Sequence, residues 1–324
     1  MRKIILSLFL IASIVAEAQK KHIVEKIYYF LTKDSLLGVK TQSGKVIIKP
    51  VKSYWQRDMN KPIKERFIYV DVAYNNIAEP HSWGSVFNRR GEFLFAPFFF
   101  DNGPDGFSEG LTRFVKNRKV GFANRNGDVV IEAKYDYVDA FNYGLASYCN
   151  GCVWKYKGEH SFVSGGTWGY INYKGDSIPV NTKRTHEKDQ IVDSIKFLPY
   201  QFSYSAVEQK IIDSFYKLPE ISKAYFVNYY SPLDSNERKL NFEIVERPSP
   251  FFAYYHVMAY EYNYKYGYSG DYSSGLNFYV DKKGRLFYFF DNYDKKTALG
   301  IWLKKYLKEA REYLKTHPDA QNKF

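Results

Sequence analysis

A four-residue turn recurs along the first half of this chain. Asn88 to Gly91, Asn124 to Gly127 and Asn172 to Gly175 share the form Asn-x-x-Gly, each between two short aromatic or aliphatic runs, and Thr41 to Gly44 is a looser upstream copy. Asparagine at the first position can bond its own backbone, and glycine at the last supplies the positive φ that a short bulged hairpin demands. The context repeats as well: Phe107-Ser-Glu-Gly-Leu111 and Phe141-Asn-Tyr-Gly-Leu145 each sit between one turn and the next. Spacings of roughly 35 to 50 residues between turn glycines signal a repeat architecture, in which no unit buries its apolar face alone and neighbours must stack.

Laid side by side, Ser85 to Leu111 and Gly121 to Leu145 show an entering strand (Val86-Phe87; Phe122-Ala123), the turn, and a leaving strand (Phe93-Leu-Phe95; Val129-Val-Ile131). A third strand starts near Gly110-Leu111 and Gly144-Leu145, giving about three short strands per unit. Phe93, Phe95, Val129, Ile131, Phe141 and Leu145 fall at equivalent strand positions and are expected to pack.

Trp168-Gly169-Tyr-Ile-Asn-Tyr-Lys-Gly175 and Val120-Gly121-Phe-Ala-Asn-Arg-Asn-Gly127, continued by Tyr135-Asp136-Tyr137-Val138 and Phe141 through Ala146, resemble the WG-repeat family in its exported bacterial type. The resemblance covers residues 84–178 and extends upstream through Leu37-Gly38 to Pro50. It departs from the pattern where Trp83-Gly84 sits one residue out of register with Gly121, where residues 51–82 lack a Phe-x-x-Gly-Leu element, and where 147–166 carry an insertion. The resemblance implies an all-β array in which Trp83, Gly84, Gly91, Gly121, Gly127, Trp168, Gly169 and Gly175 are structural, with no shared catalytic residue, cofactor or metal.

Met1-Arg2-Lys3, an apolar run from Ile4 to Val15 and the small-x-small Ala16-Glu17-Ala18 read as a secretory signal peptide over 1–18, too short to span a bilayer. Its removal takes away two cations and one anion, so the formal charge of +12 becomes +11. An exported basic chain is expected to meet envelope or extracellular protein, or an acidic surface glycan, rather than nucleic acid. No second apolar run reaches the ~20 residues of a membrane helix.

The reading places a WG-type β-repeat domain over 22–180, a polar linker over 181–200, an α+β domain over 201–316 and a disordered tail over 317–324. In the α+β part, Ser205-Ala-Val-Glu208 forms a capping box ahead of Val207, Ile211, Ile212, Phe215 and Leu218, with Pro219 as the stop. Strands are expected at Ala224 to Tyr230, Leu240 to Val245 and Phe251 to Tyr262, and a hairpin from Leu276 to Phe289 turning at Asp281-Lys-Lys-Gly284. A terminal helix from Leu299 to Leu314 carries one apolar stripe. Helix, curved antiparallel sheet and terminal helix loosely resemble PepSY-like or cystatin-like folds, and the fold class is mainly β with a smaller α+β part.

Cys149-Asn150-Gly151-Cys152 places the favoured two-residue turn pair between two thiols, so the thiols would flank a hairpin turn. A structural disulfide, a pair of unbridged thiols, and a redox or metal site remain open there. None of the six histidines forms His-Glu-x-x-His, and no Gly-x-Ser-x-Gly elbow or phosphate loop is present. His256 in the run Phe252 to Tyr260 reads as a sheet-face histidine between tyrosines. Tyr260, Tyr262, Tyr264, Tyr266 and Tyr268 alternate with other residues, so one strand would turn all five rings to one side, either onto a partner or under the terminal helix. Taken together, the residues point to an exported, non-enzymatic binding or scaffold protein of the cell envelope that contacts protein through its repeat surface. Carbohydrate binding through exposed tyrosines is the alternative. An enzyme is the third reading, and it would require distant acids such as Glu243, Glu261 and Asp271 to share a cleft.

Overall fold

The computed structural model describes residues 25–54, 57–64, 66–74, 79–100, 103–158, 160–193, 195–228, 239–249, 252–261, 273–290 and 295–317. Residues 1–18, expected as a signal peptide, residues 318–324, Asp271 and the tyrosines at 262, 264, 266 and 268 lie outside them.

Four three-stranded antiparallel meanders follow one another. The first unit is β1 (Ile27–Leu31), β2 (Leu37–Thr41) and β3 (Val46–Val51); the second is β4 (Ile68–Val70), β5 (Ser85–Phe87) and β6 (Phe93–Pro97). The third comprises β7 (Leu111–Lys116), β8 (Lys119–Asn124) and β9 (Val129–Tyr135). The fourth is β11 (Leu145–Lys157), β12 (His160–Asn172) and β13 (Ser177–Ile178), edged by β10 (Tyr137–Val138). Units two and three share one six-stranded sheet through β6 and β7, while unit one is a separate three-stranded sheet.

The turn chemistry is the same in each unit. Asn88 Oδ1 accepts from the backbone N–H of Arg90 (2.9 Å) and Glu92 (3.0 Å), Asn124 from Asn126 and Asp128, and Asn172 from Lys174 and Asp176. Each asparagine also hydrogen-bonds through Nδ2 to the acid four residues on, Glu92, Asp128 or Asp176. Thr41 Oγ1 does the looser version with Lys45 N–H at 3.1 Å. The turn at Asp281 to Gly284 reuses the design in the C-terminal half, with Arg285 replacing the acid and pairing with Asp281.

Two glycine positions tie the array together sterically. A Cβ at Gly38 would lie 2.6 Å from the Phe30 ring, at Gly84 2.5 Å from Tyr69 Oη, and at Gly169 2.8 Å from the Tyr148 ring, so an aromatic side chain of the preceding strand covers the glycine in three units. The turn glycine of each later unit rests on the unit before it: Gly91 on Ile47, Gly127 on Leu94, Gly175 on Ile131. That is nearest-neighbour stacking. Gly84, the glycine out of register, takes φ +85° and absorbs one extra residue before its strand. Of the expected packing positions, Phe95, Ile131, Phe141 and Leu145 are buried, whereas Phe93 and Val129 are partly exposed at 37% and 44% because the leaving strands start at the array surface.

Two local expectations are corrected. Asn150-Gly151 does not reverse the chain as a hairpin: Cys149 to Cys152 all lie within β11, Asn150 pairs with Thr167, and the hairpin reverses beyond Lys157. Long-range pairing with β12 overrides the local preference. Cys149 and Cys152 are bonded within that one strand with Cα atoms 6.1 Å apart, against about 10 Å for a fully extended stretch of that length. Gly151, with φ +76°, supplies the bend. Of the strand expected from Ala224 to Tyr230, the described part, residues 224–228, is helical, since α2 occupies Glu220–Asn228. The Pro219 carbonyl accepts from Lys223 N–H to open this helix, and Ala224 and Val227 pack on the terminal helix.

The C-terminal half is a five-stranded antiparallel sheet of β16 (Asn241–Glu246), β17 (Tyr254–Tyr260), β18 (Ser273–Asp281), β19 (Leu286–Phe290) and β20 (Lys295–Ala298) in sequential order. One face carries Phe242, Ile244, Val257, Ala259, Phe278 and Val280 against three helices: α1 (Ala206–Tyr216), α2 and α3 (Leu299–Thr316). The Ser205–Glu208 capping box that opens α1 is formed. The polar stretch 181–200 folds into the hairpin β14 (Gln190–Asp193) and β15 (Lys196–Leu198), nucleated by buried Asp189, whose carboxylate collects the N–H groups of Thr185, His186 and Tyr200.

Candidate functional site

The second face of the C-terminal sheet meets the repeat array, and two equivalent turns make the contact. Glu109-Gly110 and Tyr143-Gly144 are the central pairs of the Phe-x-x-Gly-Leu elements. All four residues are left-handed, with φ of 50°, 81°, 55° and 76°. Tight pairing of Ser108 with Leu111, and of Asn142 with Leu145, demands that backbone and turns the residue before each glycine outward from its hairpin. In both turns that residue is buried in the seam.

Glu109 accepts hydrogen bonds from Tyr260 Oη, from Tyr173 Oη at 2.6 Å and from Gly144 N–H at 3.0 Å. Tyr143 Oη donates to the Glu261 carbonyl at 2.6 Å, and Ser108 Oγ donates to the Phe141 carbonyl at 2.6 Å. One turn therefore holds the next turn and the C-terminal sheet together. Burial pushes the Glu109 carboxyl above the ordinary carboxylate range, against the hydrogen bonds that pull it down. Burial and the neighbouring Glu109 charge raise Tyr173 and Tyr260 well above the usual phenol range.

A second buried carboxylate completes the seam. Glu246 pairs with Arg125 at 2.8 Å, and the Arg125 guanidinium lies 4.5 Å from the centre of the Phe107 ring. Burial raises the Glu246 carboxyl, with Arg125 opposing. Behind it, His256 stacks on Tyr279 and bonds through Nε2 to Asn277 Oδ1 at 2.7 Å. Asn277 Nδ2 donates to the Gly275 carbonyl, which leaves its oxygen as acceptor and puts the imidazole proton on Nε2. His256 Nδ1 then faces Glu246 at 3.9 Å, acceptor against acceptor, and finds no partner among the described residues. Burial holds this histidine neutral, down to about 3.

The acids named from sequence as possible catalysts are structural in their contacts. Glu243 is fully buried and accepts from Lys188 Nζ (2.8 Å), Tyr200 Oη (2.7 Å) and Tyr204 Oη. Glu261 accepts from Tyr225 Oη. Neither lines the seam pocket of about 210 Å³, whose walls include Glu109, Arg125, Tyr173, Glu246 and Ser249, nor the larger cleft described next. Among the described residues, no group of three or more His, Cys, Asp and Glu side chains could hold a metal ion.

The larger concavity belongs to the array itself. A cleft of about 710 Å³ opens between the first and second units, walled by Ile47, Ile48 and Val51 of β3, by Val70 of β4 with Val72 and Tyr74 after it, and by Phe87 of β5. Tyr74 stacks on Phe93 with ring centres 4.4 Å apart and is 44% exposed. Lys49 and Lys52 also line the cleft, and among the described residues no carboxylate does.

Of the tyrosine stripe, only Tyr260 is described. It is fully enclosed in the seam, which corrects its assignment to a binding surface: the ring is covered by the array and its hydroxyl is committed to Glu109. Sequence reasoning passed over Glu109 and Tyr143, although their position before a turn glycine in matching elements was the available signal. Trp83 donates from Nε1 to the Asp71 carbonyl at 3.2 Å, while Trp168 sits half out of the ribbon, 47% exposed.

Residues 121–154, from β8 into β11, match the model of the WG containing repeat family. The chain carries a WG repeat. The matched stretch includes Gly121, the Asn124–Gly127 turn and the Phe141–Leu145 element, the features that stack one unit on another. No curated protein and no solved structure matches the chain. Among the described residues, no helix is long and apolar enough to cross a membrane.

Proposed function

We propose that this is an exported, non-enzymatic binding or scaffold protein of the cell envelope that engages a protein partner through the surface of its WG-type array. The apolar cleft between the first and second units carries the reading. It is larger than the seam pocket, it sits on the array, and its walls offer side chains suited to contact rather than to chemistry. Absence of catalysis is supported by the fate of the buried acids: Glu109, Glu243 and Glu246 each end on tyrosine, amide or cationic donors within the fold. Export rests on the Met1 to Ala18 pattern.

The test is capture on the immobilised mature chain, offered solubilised envelope protein and isolated cell-wall polysaccharide separately, at low and moderate salt. One or a few proteins retained through the salt step are expected. Retention of polysaccharide alone would move the assignment to a glycan-binding protein.

A further inference from the structure

The cleft between the first and second units is bounded by two strands that each end a sheet. β3 is the last strand of the three-stranded sheet and β4 the first of the six-stranded one. At the next junction the array closes the corresponding gap with its own backbone: β6 pairs with β7 through Ala96 with Val115 and Pro97 with Phe114, and Phe95, Phe114, Val86 and Ala123 fill the space beneath. β3 and β4 make no such pair. The units still stack, because Gly91 rests on Ile47 and because Ile27, Val39, Ile48, Ile68, Val70 and Phe87 share one buried core, but beside that core the cleft stays open.

We propose that this cleft receives an extended peptide segment of a partner protein, bearing acidic side chains interleaved with branched or aromatic apolar ones. The proposal rests on the binding-protein reading above and names the chemistry of its partner. An edge strand presents backbone donors and acceptors that an extended chain can pair with, and alternate side chains then enter the cleft or leave it. The apolar set is received by the partly buried Ile47, Val51 and Val72, with the Tyr74 ring, held by its stack on Phe93, as the anchor at the rim. The acidic set follows from charge: Lys49 and Lys52 line the cleft with no carboxylate among the described lining residues, on a chain of formal charge +12. A second copy of this basic chain would bring lysine to lysine, so the occupant is a different, acidic protein.

The probe is a dye-labelled peptide of about ten residues, the length of a long strand, alternating glutamate with valine, isoleucine and phenylalanine. Two companions carry lysine for glutamate, or proline at every second apolar position. Fluorescence anisotropy with the full chain is expected to show binding of the acidic peptide only, weakened about tenfold or more in a Lys49→Glu, Lys52→Glu double variant. Because those side chains are exposed, the variant should fold, and a Tyr74→Ala chain provides an independent loss. Hydrogen exchange should slow at residues 46–51 when the peptide is bound. Equal binding of the lysine or proline peptides, no binding of the acidic one, or protection confined to other strands would overturn the proposal. The two readings separate cleanly. An envelope protein captured by the wild type and still captured by the double variant keeps the binding-protein function and discards the cleft as its site, whereas failure of both capture and peptide binding discards both.

Discussion

At the seam, each buried carboxylate terminates on donors that come from another part of the chain. Glu109 joins two repeat units to the C-terminal sheet, and Glu246 joins β16 to the turn at Arg125. At the first inter-unit junction the situation is reversed: beside the core that the two sheets share lies a cleft that none of the described chain fills, and the charged side chains among its described lining residues are Lys49 and Lys52. The difference teaches where to look for function in a chain like this. A buried polar group is costly unless it is satisfied, so satisfied acids report on assembly, while unfilled apolar surface reports on what is still to bind.

The sharpest way to break this contrast is to remove Glu109. Glu109→Ala leaves two tyrosine hydroxyls and the Gly144 N–H without their acceptor in a closed seam, and is expected to cost about 3 kcal/mol in urea unfolding. Glu109→Gln keeps the shape and should cost less. A loss below about 1 kcal/mol for the alanine variant would mean that the seam is not held by this carboxylate.

His256 gives a pH-dependent version of the same test. Unfolded, it takes a proton near its usual 6.5; folded, burial delays protonation to about 3. Between those values the unfolded chain binds the extra proton, so the stability tied to this histidine is complete above about pH 6.5 and is lost as pH falls toward 3. From pH 6.5 to 5 the loss approaches about 2 kcal/mol. The raised carboxyls Glu109 and Glu246 work the other way, so the comparison is with His256→Asn across the same range. Parallel curves would show that His256 is not kept neutral by the fold.

A smaller effect separates stacking from turn strain. Gly127→Ala meets both a left-handed backbone (φ +85°) and Leu94 of the preceding unit at 2.7 Å, and should cost about 2 kcal/mol. Gly284→Ala occupies the same kind of turn (φ +75°) with nothing within 4 Å and should cost about 1 kcal/mol. Equal losses would deny that the turn glycines carry unit-to-unit packing. Smallest of all, Lys49→Glu with Lys52→Glu should change stability by no more than about 0.5 kcal/mol, since both are surface charges.

How much of this was legible depended on range. Each Asn-x-x-Gly turn is closed by bonds that span four residues, so sequence carries it whole. The capping box at Ser205 and the apolar stripe of the terminal helix are equally local. Ala224 to Asn228 looks like a strand by composition and is a helix, because the Pro219 carbonyl and the packing against Ala310 outweigh intrinsic preference. Asn150-Gly151 reads as a hairpin turn and instead bends within β11, held there by the pairing of Asn150 with Thr167 and of its neighbours with β12. The seam was invisible for the same reason, since Glu109 and Tyr260 are 151 residues apart. The open junction was invisible too, because a missing strand pair leaves no mark in a sequence.

The most direct measurement is envelope-protein capture run in parallel on three chains: the wild type, Lys49→Glu with Lys52→Glu, and Glu109→Gln. The account predicts a salt-resistant protein partner on the wild type and on Glu109→Gln, and none on the cleft variant. A partner retained by the cleft variant, or only polysaccharide retained by the wild type, would contradict it.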